Sequence, residues 1–317
     1  MNFLKLIIAA LLIYWLADSN QLDFSAVSDG FFSLGQLLVA TALLLGFAGQ
    51  ALRWASVMKM HQITIPLRDV LRIFWIGQFF FMTTLGMAGG EAARTYYISR
   101  YSGGRTVAAI STAFIDRLLG LYTFTILGSI AFLTLSWQTP QPLGVQQMGW
   151  VALLLFFAIS SFFVLLYQPK LRYWVINYLP ELWQQRIGGF FSQGEQSIKQ
   201  LSKLLFISIA TNITMIVAFK LSSDILHAQL GWLAIFLITP LVIIANSLPV
   251  SFGGLGVGEA AAQTLMAQVG INNGAEIMLL IRAVQWVTVL PIGLFFYLIE
   301  SKKSAPDKNN ETKTAEN

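Results

Sequence analysis

The 317-residue chain has no cysteine and only two histidines, His61 and His227. A disulfide framework, a thiol nucleophile and a thiolate metal site are therefore excluded, and no metal or cofactor is expected. Charge is scarce as well: Asp, Glu, Lys and Arg make up 11% of residues against 56% hydrophobic ones, with a mean hydropathy of +0.66. That balance lies far from the average soluble domain. The longest polar stretches are 168–203 and a short tail, too little for a soluble domain. The aspartates are scattered, so no pair of Asp-rich motifs for prenyl-diphosphate chemistry exists. Gly-x-Ser-x-Gly and His-Glu-x-x-His are missing too. The net charge of +5 comes from basic residues lying between apolar runs, which argues for membrane orientation and against nucleic-acid binding.

What remains are long apolar runs. Several approach the roughly 20 residues that a helix needs to cross the hydrocarbon core, and the fold class is an all-α polytopic membrane protein. Spans are expected near 3–17, 31–53, 106–135, 149–167, 204–220 and 277–299. The first resembles a signal peptide, but no small-x-small cleavage site follows it, so it reads as an uncleaved helix. Two shorter runs, 69–85 and 231–250, each end in a glycine-rich break carrying a carboxylate.

Those breaks are alike. Residues 86–93 read Gly-Met-Ala-Gly-Gly-Glu-Ala-Ala and residues 254–261 read Gly-Leu-Gly-Val-Gly-Glu-Ala-Ala, with five of eight positions identical at an offset of 168. Glycine and alanine match easily by chance, but the offset also maps 31–53 onto 199–221 and 106–135 onto 274–303. Gly-interrupted hydrophobic segments at corresponding places in two halves point to an inverted-repeat transporter with a midplane site. Charge bias leads to the same arrangement. If both motif-bearing runs are re-entrant hairpins, loops 18–30, 136–148 and 251–276, which lack Lys and Arg, share the outer side. Loops 53–68, 94–105, 168–203 and the tail then face the cytoplasm. The expected organisation is about six spanning helices plus two re-entrant hairpins: an extra helix 3–17, repeat A 31–135, a linker helix 149–167, repeat B 199–300 and a disordered tail 301–317. Region 168–203 reads either as interfacial helices or as a plain loop. Tryptophans such as Trp15, Trp54, Trp137, Trp150 and Trp232 fall near segment ends, as an interfacial belt would.

An ionised side chain at the membrane centre costs about 2.5–3.5 kcal/mol on the translocon scale, so it needs a partner or a wet cavity. The candidates are Glu91, Arg94, Asp116, Arg117, Glu259 and Arg282. Each repeat supplies a hairpin carboxylate and, twenty-odd positions later, an arginine on the following helix. Arg117 and Arg282 could ligate a lipid phosphate while Glu91 and Glu259 hold them or take up protons; equally, the same residues could be permanent ion pairs that pin the hairpins. Gly86, Gly89, Gly90, Gly253, Gly254, Gly256 and Gly258 would permit positive φ and close approach at the tips. A helix starting just after them could offer its N–H groups to an anion, with the glutamate competing as its own cap.

Three ordered motifs carry a family resemblance: Leu85 to Arg94, Phe114-Ile-Asp-Arg-Leu-Leu-Gly120, and Ser247 to Glu259 with Pro249. Over roughly 1–300 the chain resembles the transmembrane region of lysylphosphatidylglycerol synthases, a family with many stand-alone, flippase-like members. It departs by placing Glu91 and Asp116 where the family has aspartate and glutamate, and by lacking a proline in the first hairpin. In the two-part synthases a cytosolic domain transfers the aminoacyl group and the membrane part translocates the product. Only the membrane part has a counterpart here, so the resemblance implies lipid translocation without an enzymatic step. The partner is then a membrane lipid, either a phospholipid or a polyprenyl-linked or glycolipid precursor. The setting is a bacterial inner membrane with both termini cytoplasmic. The alternative is a non-catalytic membrane partner of a separate lipid-modifying enzyme or glycosyltransferase. The pattern fixes no oligomeric state.

Overall fold

A computed structural model describes Tyr14 and residues 24–84, 86–168, 170, 198–248 and 250–304. Helix 3–17 (Tyr14 apart), most of region 168–203 and the tail from 305 onward lie outside the described residues. The described chain is helical, with no strand in it. Its helices are α1 (Phe24–Phe31), α2 (Gly35–Met60), α3 (Leu67–Thr83), α4 (Met87–Tyr101), α5 (Thr106–Gln138), α6 (Leu143–Tyr167), α7 (Ile198–Ile225), α8 (Trp232–Asn246), α9 (Val257–Ala267) and α10 (Gly274–Ser304). Five of them, α2, α5, α6, α7 and α10, are long and apolar enough to cross a membrane. The protein is a polytopic helical membrane protein.

The five spans sit where the apolar runs place them, but α2 and α10 extend further than hydropathy suggests. Arg53 was expected in a basic loop; it lies inside α2, buried. Asp116 of α5 receives its Nε–H at 2.7 Å, and a paired guanidinium does not end an apolar helix as a lone one would. Arg72 is buried in α3, between Asp69 and Glu300. The charge-poor segments also hold more helix than expected: α1 occupies part of 18–30 and α9 part of 251–276.

The two motif-bearing runs fold as helical hairpins. In the first, α3 and α4 lie so close that a Cβ at Gly90 would stand 2.9 Å from Gly77 O. In the second, α8 turns through a short 3-10 segment into α9. At 1.5 Å per residue, the 17 and 15 residues of α3 and α8 reach only about 20–26 Å, and the 11 of α9 about 17 Å. These arms are short for a hydrocarbon core of about 30 Å.

Helices α2 and α7 run antiparallel. Arg53 donates to Ser208, while hypothetical Cβ atoms at Gly49, Gly46 and Gly35 would press on Thr211, Thr214 and Ile225. Gly46 and Thr214 are 168 residues apart, so the crossing joins positions that the sequence offset equates. The hairpin tips do the same: a Cβ at Gly86 would lie 3.7 Å from the Gly254 nitrogen. The first arms are exchanged, α3 packing on α10 and α8 on α5.

The α2–α7 crossing depends on glycine, because a Cβ at Gly49 would come within 2.4 Å of Thr211 Oγ1. Gly49→Val should lower the unfolding free energy in detergent by about 1–3 kcal/mol, the usual cost of overpacking. Gly231→Ala, at a position with open space around it, should stay within about 0.5 kcal/mol of the parent.

Candidate functional site

Both hairpin carboxylates meet arginines, and they do so differently. In the second hairpin, Gly254 and Gly256 hold positive φ (77° and 82°), which lets the chain turn sharply into α9. Glu259 stands three residues past Gly256 and accepts its N–H at 2.7 Å, capping the helix as its position suggests. The same carboxylate, fully buried, takes Nε–H and Nη2–H of Arg282 at 2.5 and 3.2 Å. Arg282 further donates to Gly253 O at 2.8 Å, Gly254 O at 3.1 Å and Asn246 Oδ1 at 3.1 Å. These carbonyls have left helical bonding, and inside a membrane they need donors from the protein. One guanidinium thus ties together α8, the tip, α9 and α10. Room for the Asn246 amide comes from glycine: a Cβ at Gly258 would lie 2.5 Å from its Oδ1.

The first hairpin is less completely closed. Helix α4 begins at Met87 rather than at Glu91, so Glu91 sits in the second turn and caps nothing. Its Oε1 accepts Arg117 Nε–H at 2.6 Å and Arg94 Nη1–H at 3.3 Å, while Oε2 is buried without a hydrogen-bond partner. Arg94 is 1% exposed, lies over the Phe74 ring at 4.3 Å and the Trp54 ring at 5.3 Å, and leaves its own Nε unpartnered. Trp54 accordingly belongs to the core and not to an interfacial belt, whereas Trp137, Trp150 and Trp232 are exposed. Arg117 keeps 25% of its side chain accessible.

Asp116 and Arg117, adjacent in sequence, point apart. Asp116 turns to Arg53, whose Nη1 donates to Ser208 Oγ at 2.8 Å. That pair continues into a buried network in which Ser208 and Asn212 meet Thr123, and Asn212 Nδ2 donates to Gly120 O at 2.9 Å. It fastens α2, α5 and α7 and lies outside the cavity lining. Arg117 instead borders a cavity between the two halves that encloses about 750 Å³ between protein atoms, its open mouth included. Phe47 and Met215, Gln78 and Asn246, and Arg117 and Gln285 all line it, and each pair is 168 residues apart. Gln50 and Ser247 add further polar groups among apolar walls.

Of the six charged residues singled out in the sequence, Glu91, Arg94 and Arg117 form one cluster, Glu259 and Arg282 a second, and Asp116 a third with Arg53. The sequence reading missed Arg53, Gln50, Gln78, Asn246 and Gln285. Applying the 168 offset to polar positions as well as to the glycine motif would have found Gln78–Asn246 and Arg117–Gln285. Among the described residues no three His, Cys, Asp or Glu side chains are grouped to hold a metal ion.

Paired glycine-tipped hairpins between antiparallel long helices, with buried ion pairs behind the tips, define a membrane protein with a cavity between its halves that carries a few polar groups. The sequence matches the lysylphosphatidylglycerol synthase TM region over residues 2–293, and the chain belongs to that family. It is also similar to the UPF0104 membrane protein PH1989 of Pyrococcus horikoshii, with 22% identity over 295 residues covering 84% of this chain and 86% of that protein.

The two clusters should respond differently to loss of the arginine. Arg282→Met strands a fully buried carboxylate and the tip carbonyls, and should cost about 3–5 kcal/mol in a detergent unfolding measurement. Adding Glu259→Gln should recover part of that loss, giving a measurable coupling in a double-mutant cycle. Arg117→Met removes a partly accessible partner and should cost less, about 1–3 kcal/mol.

Proposed function

We propose that this protein moves an amphipathic lipid between the leaflets of a plasma membrane, with the headgroup passing through the central cavity and the acyl chains remaining in the bilayer. The observation that carries this reading is the cavity itself. It sets one arginine and several amide side chains among apolar walls, lies between the halves, and is lined by offset-equivalent residues from both. In this reading 31–135 and 199–300 are inverted repeats, α3–α4 and α8–α9 are re-entrant, and rocking one repeat against the other opens the cavity to either leaflet. The antiparallel α2–α7 crossing and the meeting of Gly86 with Gly254 support it. The chain acts by translocation and not by catalysis, with both termini cytoplasmic. Family membership supports a lipid-related membrane role.

Reconstitution tests the transport step. Liposomes containing the protein should exchange a fluorescent phospholipid or polyprenyl-linked sugar between leaflets faster than protein-free ones. Arg117→Gln should slow that exchange about ten-fold or more, as loss of a charge-assisted contact implies. No acceleration across such a panel, with folded protein confirmed, would favour the membrane-partner reading. Topology is accessible because the chain lacks cysteine: single cysteines at Ser28 and Gln141 should label from one side, and those at Ser102 and Ser304 from the other.

A further inference from the structure

We infer that the central cavity is a site for a single anionic group, a phosphate, phosphodiester or carboxylate, held by the terminal nitrogens of Arg117. The inference rests on reading the cavity as the lipid headgroup site and specifies the charge that such a headgroup carries. Its first ground is charge balance. Arg53 is matched by Asp116 and Arg282 by Glu259, but Arg94 and Arg117 share the single carboxylate of Glu91. Among the described residues one positive charge is therefore left without a protein counter-charge inside an apolar bundle, where an uncompensated ion is costly. Of the two arginines, Arg94 is sealed beneath Phe74 and Trp54, so the excess is presented at Arg117. Arg117 commits only Nε to Glu91, and it lines the cavity.

The second ground is the polarity of the neighbouring hydrogen-bonding groups. A guanidinium has no acceptor, so Arg282 compels Asn246 to turn its carbonyl oxygen toward it. The Asn246 amide N–H groups are left as the part of that side chain not engaged by Arg282, and Asn246 lines the cavity opposite its offset-equivalent Gln78. The hairpin clamp thus fixes the sense of a donor in the cavity. Gln50, Gln78 and Gln285 are amides that can present N–H groups to an anion, and no carboxylate is among the lining residues.

The third ground sets the number of charges. The position equivalent to Arg117 in the second half is Gln285, so the cradle is cationic on one side and neutral on the other. Arg282 is not its counterpart: it lies three residues earlier on α10, about one helical turn away, and reaches the hairpin tip instead of the cavity. A single anionic group matches one guanidinium.

Calorimetric titration of the full chain in a neutral detergent tests this without requiring transport. The probes are dihexanoyl-phosphatidylglycerol, dihexanoylglycerol, which has the same chains and no anionic headgroup, and inorganic phosphate. The phosphatidylglycerol should bind, phosphate should compete with it, and dihexanoylglycerol should bind at least about ten-fold more weakly, as loss of a charge-assisted contact implies. Phosphate binding with no measurable phosphatidylglycerol binding would keep the anion site and make its source a free anion. Gln285→Glu supplies the missing counter-charge while leaving Glu91 and Arg117 in place, and should weaken phosphatidylglycerol binding by a similar factor at a melting temperature no lower than the parent's. Equal binding of dihexanoylglycerol and phosphatidylglycerol by the unmodified protein overturns the inference, as does a folded Gln285→Glu protein with undiminished anion binding. Leaflet exchange that ignores headgroup charge also overturns it and leaves the transport reading intact. Failure of all exchange alongside charge-selective binding does the reverse.

Discussion

Backbone carbonyls that leave helical bonding inside an apolar bundle need donors from the protein, and much of this structure follows from where those donors come from. At the second hairpin they come from Arg282, which also neutralises Glu259 and fixes Asn246. Five hydrogen bonds from one side chain make that tip a closed unit. The tip glycines belong to the same solution: positive φ turns the chain tightly enough for two successive backbone carbonyls, of Gly253 and Gly254, to converge on one guanidinium. Such a cluster is costly to desolvate and becomes tolerable only when every member is satisfied.

The first hairpin also sets a carboxylate after a glycine tip, with a different outcome. Its arginine on α5 is displaced by one turn from the position that Arg282 occupies on α10, so it meets Glu91 and the cavity and leaves the tip carbonyls alone. Arg94, whose offset-equivalent is Ala262, brings a second cation to the same carboxylate. The result is two hairpins with similar glycine-carboxylate motifs and different charge patterns. One hairpin is pinned, and the other holds an incompletely satisfied ion cluster whose Arg117, on α5, borders the cavity. Conformational change, where it occurs, has less to break at the first hairpin than at the second.

The long helices are held by a separate device. Arg53, Asp116, Ser208, Thr123 and Asn212 form a buried network binding α2, α5 and α7, next to the glycine contacts that let α2 and α7 approach closely. Small residues and interhelical hydrogen bonds are the usual means of association where lipid removes the hydrophobic drive between helices. The network lies apart from the cavity, so its charges are physically separated from the cavity-lining Arg117 although Asp116 and Arg117 are neighbours in sequence.

The sequence by itself determined the membrane class, the positions of the five described spans and the pairing of two glycine-tipped carboxylates. Each of these follows from local signals: apolar run length, helix-breaking glycines and a constant offset. It also marked Glu91, Arg117, Glu259 and Arg282 as belonging together in pairs, because a charge in an apolar run needs a partner. Only the tertiary structure decided which charge met which. Arg53 and Trp54 looked like the end of a span and proved to be core, because their partners lie on α5 and α4, far along the chain. Adjacent Asp116 and Arg117 were separated by the roughly 100° that a helix turns per residue. The one-turn difference between Arg117 and Arg282 could be counted in the sequence, but its consequence depends on packing. The exchange of hairpin arms between halves sets what each guanidinium can reach.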